Sequence, residues 1–121
     1  MFLPKSKKLH WTFHARAKMG FYKLSEQRVR HVLNSPKRVE EGIAPKTMAM
    51  MQPASVKTSA GRPGTGKEET WNHEIWVMLQ DEKSRRKIIS AWRYPGRTKP
   101  RSETVIEGIK AAYNEYMKSA K

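Results

Sequence analysis

The sequence predicts an α+β domain: two N-terminal helices and a C-terminal helix packed on a small antiparallel sheet of three to four strands. Three observations carry this. Residues 73–79 and 86–94 are bulky apolar runs rich in Ile, Val, Trp and Tyr, the composition of strands. Val105, Ile106, Ile109, Ala112, Tyr113, Tyr116 and Met117 recur at helical spacing and mark an amphipathic helix. Thr12 and Ser25 stand where N-caps are expected, each just before a stretch that reads as helix. A chain of 121 residues allows one domain, burying roughly two thirds of its unfolded surface.

In chain order, residues 1–9 are basic and contain Pro4, and read as a loose basic arm. A helix over 13–22 follows Thr12, weakened near its end by Gly20. A second helix, 26–34, has Glu26 in its first turn, Val29, Val32 and Leu33 on one side, and Pro36 as its stop. Residues 38–43 and 47–51 read as one or two short strands around Pro45, with Met48, Met50 and Met51 filling core gaps. Residues 53–70 are rich in Pro, Gly, Ser, Thr and Lys and read as a flexible hairpin loop. The runs 73–79 and 86–94, joined by the polar stretch 80–84, form a hairpin. Pro95 and Gly96 end it, and Ser102 with Glu103 opens the last helix.

The chain carries 25 Lys and Arg against 11 Asp and Glu, a formal charge of +14. The excess is concentrated in residues 1–38 and 82–121, with the middle slightly acidic. Such a field attracts polyanions, and interleaved aromatics point to nucleic acid, RNA favoured. The absence of cysteine excludes disulfides, thiolate metal sites and a cysteine nucleophile. No apolar run approaches the roughly 20 residues of a membrane span, and no signal segment is visible, so the expected setting is cytoplasmic, away from membranes.

Three constellations are candidates for chemistry. Residues 61–67 fit G-x-x-x-x-G-K, but Glu68 stands where a magnesium-binding hydroxyl belongs and no buried strand precedes the loop, so nucleotide binding is rejected. His10 and His14 have metal-like spacing but no third ligand nearby, so no metal is assigned and no cofactor is expected. His14 alone reads either as an inert histidine or as an acid–base group near neutral pH. In the third, Trp92-Arg93-Tyr94 leads into a Pro/Gly loop bearing Arg97, Lys99 and Arg101, and alternation puts Trp92 and Tyr94 on one face and Arg93 on the other. Cations of this loop would contact phosphate, and Trp92 either stacks on a base or is core.

The run His14-Ala15-Arg16-Ala17-Lys18-Met19, followed by Leu24-Ser25, resembles the H-A-x-x-R-M-x-x-R-x-I-S opening of the domain of unknown function 4258 family of bacteria and phage. Val29, Val32, Leu33 and Pro36 look like that family's second helix, and the likeness spans about residues 9–94. The two motif arginines fall on Lys18 and Tyr22. Such domains are distantly similar to RelE-like and barnase-like ribonuclease toxins. The resemblance implies metal-independent RNA cleavage through the ribose 2′-hydroxyl. His14 would then be proton shuttle, Lys18 and Arg93 phosphate stabilisers, and Tyr94 a positioning or donating group. Arg16, Trp92, Arg97, Lys99 and Arg101 would bind the nucleic acid. The rival readings are a non-catalytic nucleic-acid-binding module and an accessory protein that meets a small acidic, antitoxin-like protein.

Overall fold

Thr12 is the point where strand becomes helix. Its hydroxyl accepts from Ala15 N (3.1 Å), capping the helix, and donates to Ile88 O (2.7 Å), tying the junction to a strand 76 positions away. The computed structural model describes residues 8–54, 56–59 and 68–119, with backbone alone for 56–59 and 68–70. Before Thr12 lies β1 (Lys8–Trp11); after it come α1 (Phe13–Tyr22) and α2 (Glu26–Asn34). Lys23, in the left-handed region at φ 57°, ends α1, and Leu24 N donates back to Met19 O (2.8 Å). Ser25 caps α2 by accepting from Arg28 N. There follow β2 (Arg38–Glu41), β3 (Thr47–Pro53), β4 (Val56–Ser59), β5 (Glu68–Trp71), β6 (Glu74–Asp81), β7 (Arg85–Tyr94) and α3 (Glu103–Ser119).

The fold is α+β, with three helices and a mixed sheet of five strands in the order β1-β7-β6-β3-β2, so the expected three to four antiparallel strands are too few. The added member is β1, which pairs in parallel with β7; the other pairings are antiparallel. Residues 8 and 9, expected in a loose arm, therefore belong to the sheet; residues 1–7 lie outside the described ones. The segment 53–70 is not simply loop either: β4 and β5 pair as a separate two-stranded ribbon. The G-x-x-x-x-G-K match at 61–67 lies outside the described residues.

Both sheet faces are covered, because β6 and β7 are apolar on both sides. Ile75, Val77, Leu79, Ile88 and Ala91 pack with Ala15, Met19, Val29, Val32 and Leu33 of α1 and α2. Trp76, Met78 and Ile89 pack on the opposite face with Val105, Ile109 and Ala112 of α3. The helices thus divide between the two faces. A bulge shifts the register, with Leu79 opposite Ile88 but Met78 opposite Ser90. The extra residue, Ile89, turns it and Ser90 toward the α3 face.

The link from β7 to α3 is fastened to the sheet. Thr98 donates to Glu74 and accepts from Arg38 Nη1 (2.8 Å), and Arg101 N donates to Glu40 Oε2 (3.2 Å). α3 then starts near β2 and returns to the far edge, where Lys87 Nζ meets Tyr116 OH (3.4 Å).

Candidate nucleic-acid interface

β1 covers only the first four residues of β7, and α1 takes over the rest of that edge. The helix is anchored at both ends: Thr12 on Ile88, and Tyr22 O accepting from Arg93 Nε (2.8 Å). The lengths match, since ten helical residues rise about 15 Å and the strand from 88 to 93 advances about 17 Å. The side of α1 facing α3 presents His14 and Lys18, one turn apart, with Tyr22 a turn further on.

Three hollows follow this helix. At its N-terminal end one of about 550 Å³ is bordered by His10, Trp11, Phe13, His14, Arg16 and Tyr116. Phe13 is 95% exposed, a large apolar ring left open to solvent. The guanidinium groups of Arg16 and Arg30 both lie over Trp11, at 5.5 and 5.6 Å. His10 and His14 share this hollow, and among the described residues no third metal-ligating side chain joins them.

The middle hollow, about 420 Å³, lies between α1 and α3 with β7 as its floor. Lys18 and Tyr22 form one wall, Glu107, Gly108 and Glu115 the other, and Ser90, Trp92 and Tyr94 the floor. Trp92 is half-buried and stacked on Trp76, with rings 4° from parallel and centroids 5.9 Å apart. Gly108 leaves Trp92 uncovered, since an added Cβ would stand 3.9 Å from its Nε1. The Ser90 hydroxyl is fully buried and has no hydrogen-bond partner among the described residues. Lys18 Nζ pairs with Glu115 (3.3 Å) and lies over the rings of Phe21 and Tyr22.

At the C-terminal end a hollow of about 430 Å³ is lined by Tyr22, Asn72, His73, Arg93 and Pro95. Tyr22 is the wall it shares with the middle hollow.

The expected site residues are therefore set along a line, not gathered at one point. Lys18, Trp92 and Tyr94 meet in the middle hollow; Arg93, on the opposite face of β7, enters the next; His14 and Arg16 border the first. Arg16 also pairs with Glu26 (2.8 Å). Burial pushes the His14 imidazole below its usual range; Glu115 opposes this and Lys18 adds to it. His14 Nε2 is buried without a hydrogen-bond partner among the described residues.

Arg97, Lys99 and Arg101 stand apart. Arg97 lies 4.2 Å from the Trp71 ring, and the Arg101 main chain is held at β2, three strand spacings or about 14 Å across the sheet from β7. The Glu74, Arg38 and Glu40 side chains hold this loop away from α1, so Arg97, Lys99 and Arg101 line none of the three hollows.

Sequence reasoning missed Tyr22, Ser90, Asn72, His73 and Tyr116 as lining residues. Ser90 had no local signal, since its orientation comes from the bulge. No family model, curated protein or solved structure matches the chain.

Proposed function

We propose that this is an RNA-engaging domain that lays a single strand along α1. The observation that supports this best is the row of three hollows, with open aromatic surface at Phe13 and Trp92 and cations at Arg16, Lys18 and Arg93. Unpaired bases stack on such rings while cations neutralise the backbone between them. With three phosphates neutralised, the logarithm of affinity falls against the logarithm of salt with a slope of about −2. The test is fluorescence anisotropy of a labelled hexaribonucleotide from 50 to 300 mM KCl. Gly108→Leu should fold normally and cover Trp92, weakening binding about tenfold; base–aromatic stacking of 1–3 kcal/mol sets that scale. Unchanged affinity in Gly108→Leu refutes the assignment of the groove.

His14 favours a second reading, a metal-independent endoribonuclease of toxin type. An imidazole held neutral at pH 7 is in the form that accepts a proton. It would take the 2′-hydroxyl proton as that oxygen bonds to phosphorus. The bond to the 5′-oxygen breaks, that oxygen takes a proton, and the products are a 2′,3′-cyclic phosphate and a 5′-hydroxyl end. Lys18 would offset charge on the phosphorane. The Tyr94 hydroxyl belongs to the positioning of the strand over Trp92. Incubation with total RNA in EDTA tests this: cleavage by the wild type and none by His14→Ala supports it, and the same pattern from both variants refutes it.

A further inference from the structure

The middle hollow, about 420 Å³, differs on its two sides. Lys18 on the α1 wall is already paired with Glu115 (3.3 Å). Glu107 on the α3 wall has no hydrogen-bond or ion-pair partner among the described residues. An unpaired carboxylate repels the phosphates of a strand, so it is unsuited to the backbone that a chain of charge +14 attracts. It suits a hydrogen-bond donor. Between the walls lies Trp92, stacked on Trp76; Trp76 does not line the hollow, so the rest of the Trp92 ring is left to a ligand. A second, independent observation also points to a ligand. Ser90, two residues before Trp92 on the same face of β7, lines the hollow with a fully buried hydroxyl that has no hydrogen-bond partner among the described residues. A buried hydroxyl left unsatisfied by the fold is answered by a polar group that enters beside it. The hollow thus offers a flat aromatic surface, a carboxylate that only accepts, and a hydroxyl that can donate.

We propose that this hollow reads one base of the bound strand and selects a base with an exocyclic amino group, cytosine over uracil among the pyrimidines. Cytosine stacked on Trp92 turns its N4 amine to the Glu107 carboxylate and its N3 and O2 acceptors to the Ser90 hydroxyl. Uracil carries the carbonyl O4 in place of that amine, which sets oxygen against a carboxylate. The two bases match in size and stacking surface, so the carboxylate is what separates them. The inference rests on the RNA engagement proposed above and adds a sequence preference to it.

Anisotropy of labelled hexacytidylate and hexauridylate with the full chain, at pH 7.5 and 50 mM KCl, tests this. The wild type should hold hexacytidylate about fivefold tighter, the low end of what a base-edge contact supplies. Glu107 is exposed, so Glu107→Gln leaves the fold intact. It should bring the two affinities within about twofold, because an amide accepts from the cytosine amine and donates to uracil O4 alike. Glu103→Gln removes the same charge from the first turn of α3, outside the hollow, and should keep the preference. Ser90→Ala should weaken hexacytidylate binding at least about twofold with no loss of thermal stability, since no hydrogen bond within the fold is given up. Equal affinities in the wild type, a preference for hexauridylate, or a preference that survives Glu107→Gln overturns the base assignment while leaving RNA engagement standing. Unchanged hexacytidylate binding in Ser90→Ala overturns the contact to the acceptor edge. Absence of binding by either strand overturns RNA engagement and the base assignment with it.

Discussion

Glu74 is expected to be the most sensitive side chain for stability. It is fully buried, and its carboxylate accepts four hydrogen bonds. Trp71 Nε1 and Thr98 N donate to Oε2, both at 2.9 Å; Trp76 Nε1 at 3.0 Å and the Thr98 hydroxyl at 2.7 Å donate to Oε1. In Glu74→Gln the better orientation keeps the amide oxygen at the Oε2 position. The new NH2 then faces Trp76 Nε1–H, donor against donor. The Thr98 hydroxyl can reverse and accept, because it has a second lone pair beyond the one used by Arg38. The cost is one unpaired buried N–H, about 1–3 kcal/mol, and two bonds weakened to a neutral acceptor by about 1 kcal/mol each, or about 3–5 kcal/mol together. Glu74→Ala strands three N–H groups, about 3–9 kcal/mol, against a total stability of about 5–15 kcal/mol for a domain. Urea titration followed by tryptophan emission measures this, as a lower midpoint at constant slope for Gln and loss of the cooperative transition for Ala. A Glu74→Gln protein within about 0.5 kcal/mol of wild type, the range of ordinary surface changes, would refute the network as drawn.

Other substitutions test other parts of the fold. Gly20→Ala in α1 meets nothing within 4 Å, so it should stabilise by about 0.5–1 kcal/mol through helix propensity, read as a thermal midpoint a few degrees higher. Gly42→Ala should do the reverse by about 3 kcal/mol, because its Cβ would overlap the Thr47 side chain and stand 2.9 Å from the Thr47 carbonyl carbon; a neutral result would mean that the β2–β3 turn is held differently. His14 has its pKa lowered in the folded state, so the unfolded chain binds the proton first as pH falls. Wild-type stability should therefore drop from about pH 6.5 down through the folded pKa, and His14→Gln should lose that component in unfolding curves at pH 7.5 and 5.5.

The helix starts were legible because capping is local: Thr12 and Ser25 each act three residues ahead, a relation the sequence displays directly. The β6–β7 hairpin was legible from its composition, and strand alternation separated Arg93 from Trp92 and Tyr94. β1 was not, since four residues give only two repeats of alternation, with Leu9 and Trp11 inward, and their partner lies some 77 positions on. Nor was the division of helices between faces, which depends on both sides of β6 and β7 being apolar. The candidate interface was half legible: its aromatic and basic members were named, but their order along α1 follows from that helix covering the free edge of β7. The position of Arg97, Lys99 and Arg101 was illegible for the same kind of reason, because Glu74, Arg38 and Glu40 act on the loop across the sheet.

The parallel pairing of β1 with β7 also bears on how the protein is made. β1 must wait for Arg85–Ile88 to be synthesised before it has its strand partner. Until then Val29, Val32 and Leu33 can meet Met50, Ile75, Val77 and Leu79 of β3 and β6 but not Ile88 and Ala91 of β7, and no local contact can replace a pairing closed over so long a stretch of chain. The sheet edge that β1 and α1 cover therefore closes only once β7 is in place, a late step in the folding of this domain.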